Sequence, residues 1–185
     1  MAEFRDSIDI AAPPETVFDY LTTDAGMTAW MGQYADLDPT PGGRFAVDVA
    51  GYPVRGEYLE VDHPSRVVVS WGFAGSDLLP AGASRVEFRL TAVGGGTRVD
   101  LCHSGLPDTE VRGHAEGWAH FLPRLRTAAG GDDAGTDDWQ PLQHGAIKPP
   151  PRGTNEGDIR WHPTPRTTSW RSITAPGPAA TSTAR

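Results

Sequence analysis

Six histidines and a single cysteine are the residues of this 185-residue chain whose types and spacing bear most directly on chemistry. His103 follows Val99 and Leu101 at intervals of two, so in a strand its imidazole shares their face and points inward. There a neutral ring could act as a base or as an orienting donor. The competing and favoured reading is a core histidine bonded to a backbone carbonyl. His114 and His120 fall six apart in a stretch with helical periodicity, which puts them on different faces, so no metal site is expected. Ser7, Ser70, Ser84 and Ser104 lack a Gly-x-Ser-x-Gly setting or a neighbouring base, so no hydrolase triad is indicated. Gly94-Gly95-Gly96 leads into a strand, whereas a phosphate-cradling loop leads into a helix. No catalytic residue and no cofactor is assigned. Cys102 is alone, which excludes an intramolecular disulfide and a multi-cysteine zinc site. It alternates away from His103 and belongs on the outer or rim face.

The elements that must position these groups can be read from periodicity. An alternating run predicts a strand over 3–11, which Pro13-Pro14 breaks. Proline suits the first turn of a helix, and Val17, Phe18 and Leu21 follow at helical spacing over 14–22. Asp24 is placed to cap a second short helix carrying Met27, Trp30 and Met31, ended by Gly32. From Gln33 the period becomes two. Strands are expected over 34–37, 44–49 and 54–62, then through Val67, Val69, Trp71 and Phe73, through Val86, Phe88 and Leu90, and through Val99, Leu101 and His103. Short turns join them, among them a hairpin at Gly94-Gly95-Gly96. After Pro107-Asp108, with Asp108 as cap, a long helix carries Val111, Trp118 and Leu125 on one stripe. Pro123 removes one of its hydrogen bonds and should kink it.

Composition sets the boundaries. Residues 1–139 hold 10 Arg and no Lys against 22 Asp and Glu, a net −12, whereas 140–185 carry 6 basic and 2 acidic residues. The acidic body would repel a polyanion, so nucleic acid is not an expected partner. No apolar run approaches the ~18 residues of a membrane span, and the N-terminus lacks a secretory signal, which makes the cytoplasm the expected location. The tail holds 8 of the 17 prolines and little periodic apolar content. It is expected to be a disordered extension over 140–185, reached through a flexible linker at 131–139 after a folded domain at 1–130. Trp139, Trp161 and Trp170 then read as isolated aromatics, with docking anchors as the alternative.

The order β-α-α-β6-α describes an α+β fold, a curved seven-stranded antiparallel sheet wrapped around a long C-terminal helix. Several segments carry a resemblance: Ala12-Pro13-Pro14-Glu15-Thr16-Val17-Phe18, Trp30, Gly42-Gly43, Gly56-Glu57-Tyr58-Leu59-Glu60-Val61, and Val67-Val68-Val69-Ser70-Trp71. They continue with Gly96-Thr97-Arg98-Val99, His103-Ser104-Gly105 and Gly117-Trp118 with Leu122 and Leu125. In order and spacing these resemble the helix-grip fold of the START-like SRPBCC superfamily, in its branch of Hsp90-ATPase-activator homologues, over residues 3–129. The resemblance implies a hydrophobic or aromatic small molecule held between sheet and helix. Interior faces nominate Trp30, Phe45, Tyr58, Trp71, Phe73, Phe88, Leu101, His103, Trp118 and Phe121 as its surroundings, with Arg89 a further polar group. Two other outcomes stay open: a polyketide cyclase or aromatase using the same cavity, and a co-chaperone-like interaction module whose chaperone partner rests on analogy alone.

Overall fold

The computed structural model describes residues 1–140. Its elements run β1 (Ala2–Ile10), α1 (Pro14–Thr22), α2 (Asp24–Thr28), β2 (Tyr34–Leu37), β3 (Arg44–Val49), β4 (Tyr52–Asp62), β5 (Arg66–Trp71), β6 (Ser84–Val93), β7 (Gly96–Leu106) and α3 (Val111–Ala129). The strands form one antiparallel sheet in the order β1-β7-β6-β5-β4-β3-β2. Consecutive strands neighbour each other through short reversals, and β1 joins at the far edge beside β7, as the expected architecture requires.

Local chemistry explains the corners. Val93 pairs with Gly96 across Gly94 and Gly95, whose φ of 56° and 87° are the left-handed values of a two-residue hairpin turn. The β3–β4 hairpin makes the same reversal with Ala50 (φ 50°) and Gly51 (φ 83°) between the paired Val49 and Tyr52. A side chain at Ala50 sits there against its steric preference. In β4 a Cβ on Gly56 would collide with the Ser70 carbonyl, so glycine lets the two backbones approach. The register then slips between Tyr58 and Glu60, turning Leu59 outward to 41% exposure.

Two caps differ from the sequence expectation. Thr23, not Asp24, caps α2, its hydroxyl accepting from the Gly26 amide at 3.1 Å. Asp24 is the first helical residue, and its carboxylate accepts the Leu37 amide at 2.9 Å, tying α2 to β2. The second difference is at α3, which begins at Val111 behind Glu110, with no side-chain cap from Asp108. The chain turns first, with the Glu110 amide donating to the Pro107 carbonyl at 2.9 Å. α3 runs through Pro123 to Ala129.

The core lies between the sheet's inner face and α3. Val47, Val54, Tyr58, Val86 and Val99 face Trp118, Leu122 and Leu125, all at most 3% exposed, and the α1–α2 corner adds Leu21, Met27 and Trp30. On the outer face Glu60, Arg66, Arg85, Glu87 and Arg89 form a cross-strand ionic network, with Arg66 paired to both Glu60 and Glu87. Val68, on β5 between Glu60 and Glu87 in register, is fully buried, consistent with cover from the apolar stems of long charged side chains. Cys102 lies on this face within 3.8 Å of Glu3, as its alternation with His103 requires.

β5 ends at Trp71 rather than continuing to Phe73. Phe73 instead makes single bridges to Val54 and Pro80 at the base of the 72–83 loop.

Candidate functional site

His103 is fully buried, and its ring is held at both nitrogens. The Trp118 indole N–H donates to Nδ1 at 3.1 Å, and Nε2 lies 2.8 Å from Ser84 Oγ. An indole nitrogen can only donate, so Nδ1 is the acceptor and the neutral ring carries its proton on Nε2. Nε2–H then donates to Ser84 Oγ, and the Ser84 hydroxyl donates to the Trp71 carbonyl at 3.0 Å. Burial, with a smaller contribution from nearby His114, pushes the His103 pKa down to about 2, which keeps the ring neutral. The sequence reading saw no base beside Ser84. The structure puts an imidazole there, but with its proton on the nitrogen facing the serine. This chain fixes the positions of Trp71, Trp118 and Ser84; it does not activate a nucleophile. The partner of His103 is also not the backbone carbonyl envisaged from sequence.

Beside this chain lies a cavity of about 70 Å³. Its sheet side is built by Val49, Tyr52 and Val54 around the β3–β4 turn, with Trp71 and Phe73. Its helix side is Gly113, His114, Gly117 and Phe121, and Trp139 completes the lining. On α3 two of the lining residues are glycines one turn apart, Gly113 and Gly117, although each costs about 1 kcal/mol of helix propensity relative to alanine. A Cβ on Gly117 would meet only the Trp139 ring, at 3.7 Å. The exposed lining is apolar almost throughout. Trp71 is 5% exposed, and its indole Nε1 is buried with no hydrogen-bond partner among the described residues.

Of the ten residues nominated from sequence, Trp71, Phe73 and Phe121 line this cavity. The other seven pack elsewhere in the interior. Trp30 donates its indole N–H to the Tyr20 carbonyl at 3.0 Å, and Tyr58 donates its hydroxyl to the Leu21 carbonyl at 2.9 Å, both closing the α1–α2 corner. Phe45 packs edge-on to Tyr58, Phe88 packs edge-on to Trp118, and Leu101 is 2% exposed in the same core. His103 and Trp118 support the wall through the hydrogen-bonded chain just described. Arg89 faces outward, paired with Glu87 at 2.5 Å. Sequence reasoning missed Val49, Tyr52, Val54, Gly113, His114, Gly117 and Trp139. The spacing of Gly113 and Gly117, i and i+4 on the helix face that carries Phe121, was the signal available for the helix side.

Trp139 was read from sequence as an isolated aromatic, and the structure corrects this. Its ring stacks on His120 at a centroid distance of 5.0 Å and an interplanar angle of 10°, and meets Phe121 edge-on at 5.4 Å. The residues expected as a flexible link run back along α3. Arg124 donates to the carbonyls of Ala134 (2.9 Å) and Gly135 (2.8 Å), and His120 Nε2 lies 3.0 Å from Asp137 Oδ1. That same oxygen accepts the Trp139 amide at 3.1 Å. Trp161, Trp170 and the expected disordered tail fall outside the described residues.

No helix among the described residues is long and apolar enough to cross a membrane. No group of metal-binding side chains occurs among them. No curated protein matches the chain. Solved structures do. The AHSA1-like protein RHE_CH02687 of Rhizobium etli is 42% identical, with a TM-score of 0.60 over 77% of this chain and 92% of that one. The Aha1 dimer of Colwellia psychrerythraea is 26% identical, with a TM-score of 0.61 over 71% of this chain and 99% of its own. CalU16 of Micromonospora echinospora is 25% identical, with a TM-score of 0.57 over 70% and 76%. The family described as activator of Hsp90 ATPase homolog 1-like protein matches residues 11–130, which takes in α1 through α3 and every cavity-lining residue except Trp139. The chain belongs to the family of activator of Hsp90 ATPase homolog 1-like proteins.

Proposed function

We propose that this is a cytoplasmic domain that binds a small apolar or aromatic molecule in the cavity between the sheet and α3. The observation that carries this reading is an apolar cavity lined by Trp71, a residue whose indole N–H is buried without a partner among the described residues. A buried donor without a partner costs about 1–3 kcal/mol, which a ligand bearing one acceptor atom would recover on binding. Apolar linings with a few placed polar groups are the usual character of small-molecule sites. A volume of about 70 Å³ is well below the ~300–1,000 Å³ of typical ligand pockets, so the site suits a small molecule or one ring of a larger one.

Gly117→Leu tests the reading, because it fills the space from a helix that tolerates leucine well. Binding of 2-naphthol should be lost while the thermal midpoint is kept. Unchanged binding in a folded Gly117→Leu variant would place the ligand elsewhere. A chaperone partner comes from the family's name by analogy. The large exposed apolar residues of the described region, Met1, Tyr34, Leu59, Leu78 and Val93, sit on five different segments of the chain.

A further inference from the structure

The Trp139 ring sits at the mouth of the cavity in the manner of a bound aromatic. One face stacks on His120 at 10°, an edge meets Phe121, and the six-membered ring comes within 3.7 Å of where a Cβ on Gly117 would stand. The segment that delivers it lies C-terminal to the family match, which ends at residue 130. That segment is anchored by side-chain contacts and not by a strand or helix. Asp137 meets His120 at 3.0 Å and Arg124 at 3.7 Å, and Arg124 holds the Ala134 and Gly135 carbonyls. Thr136 and Asp138 between them are exposed. An anchoring of this kind can open without disturbing the core, since low-stability segments open independently of the rest of a domain.

Resting on the ligand-binding reading above, we infer that residues 131–139 form a displaceable plug, and that the mouth takes a planar, uncharged, fused aromatic molecule in place of the Trp139 indole. The walls select that class: His120 and Phe121 offer a stacking face and an edge, the arrangement aromatic rings prefer, and Gly117 clears the depth of a flat ring. A plug seated more than nine-tenths of the time weakens the apparent affinity more than about tenfold, because only the open fraction competes for ligand.

The test uses the full chain and 2-naphthol as probe, with cyclohexanol as a compact non-aromatic control. Asp137→Ala removes the contacts to His120, Arg124 and the Trp139 amide but keeps the indole, so tighter binding cannot be attributed to an engineered hole. It should bind 2-naphthol about tenfold more tightly than the wild type, and Trp139→Ala at least as tightly as Asp137→Ala. Cyclohexanol should gain less than about threefold. In the wild type, saturating 2-naphthol should speed hydrogen exchange at the Trp139 amide. Equal affinity in wild type and Asp137→Ala, with the Trp139 amide still protected, overturns the plug and leaves the cavity reading intact. An equal gain for cyclohexanol overturns the aromatic class. No binding by any of the three proteins overturns both readings.

Discussion

Removing the Trp118 indole N–H should destabilise the domain even when the aromatic bulk is kept. Trp118 is 3% exposed, packs against Trp71 and Phe88 at 5.4 and 5.8 Å, and is the donor to His103 Nδ1. Trp118→Phe retains a ring but leaves a fully buried imidazole nitrogen without its donor, which costs about 1–3 kcal/mol. The smaller ring adds a packing loss, for a total of about 2–4 kcal/mol. Switching the His103 proton to Nδ1 offers no escape. Ser84 would then have to donate to Nε2 and abandon the Trp71 carbonyl, and the new Nδ1–H would itself lack an acceptor, so neither tautomer leaves the buried groups satisfied. Trp118→Ala loses the whole ring and should cost about 3–5 kcal/mol or more, a large share of a typical domain's stability. Urea denaturation followed by far-UV circular dichroism at pH 7.5 measures both, with the m-value checking that the transition remains two-state. A double-mutant cycle isolates the hydrogen bond: with His103→Phe already present, Trp118→Phe should cost at least about 1 kcal/mol less than in the wild type. If Trp118→Phe falls within 0.5 kcal/mol of wild type, or the two substitutions add, the Ser84–His103–Trp118 chain is not the support described.

His103 also sets a pH dependence. Its folded pKa of about 2 lies below the ordinary 6.5, so the unfolded chain binds the proton that the native state refuses, and stability falls as pH drops below about 6.5. Between pH 7 and 5 the wild type should lose about 2 kcal/mol more than His103→Phe, measured by denaturant titration at each pH; parallel losses would contradict a buried neutral ring. Ala50→Gly relieves a left-handed φ of 50° and should raise stability by about 1 kcal/mol, read as a shift of the urea midpoint, whereas a decrease would mean that the methyl group packs usefully. Cys102 has its thiol pKa raised, chiefly by partial burial, so alkylation at pH 7.5 should be slower than for a model thiol and should leave 2-naphthol binding intact; loss of binding without unfolding would move Cys102 to the cavity side.

The fold was legible because its determinants are local. Proline at the start of α1, period-two alternation from Gln33 and glycine pairs at hairpins each specify an element without reference to the rest of the chain. The cap of α2 was less legible because Thr23 and Asp24 are both good capping residues, and the tertiary bond from Asp24 to Leu37 decides between them; α3 starts behind Glu110 without a side-chain cap. The site was legible only in part. Alternation places Phe45, Phe88 and Leu101 on the inner face correctly, but it cannot say which inward side chains touch one another and which border a void. The void is bordered by Gly113 and Gly117, which bring no side-chain periodicity to read. Trp139 was hidden for a different reason: its segment has no periodicity, and what holds it is a set of contacts from Asp137, His120 and Arg124 that only the folded helix brings into range.

The most direct test of the central claim follows the tryptophan indole N–H resonances by two-dimensional NMR while 2-naphthol is titrated into the full chain, with assignments made by single Trp→Phe substitutions. The Trp71 resonance should start at the position of an indole without a hydrogen bond and move downfield to saturation as it finds an acceptor, while Trp30, bonded to Tyr20 in the distant corner, stays still. A Trp71 resonance that does not move at ligand concentrations saturating any shift elsewhere would contradict binding in this cavity.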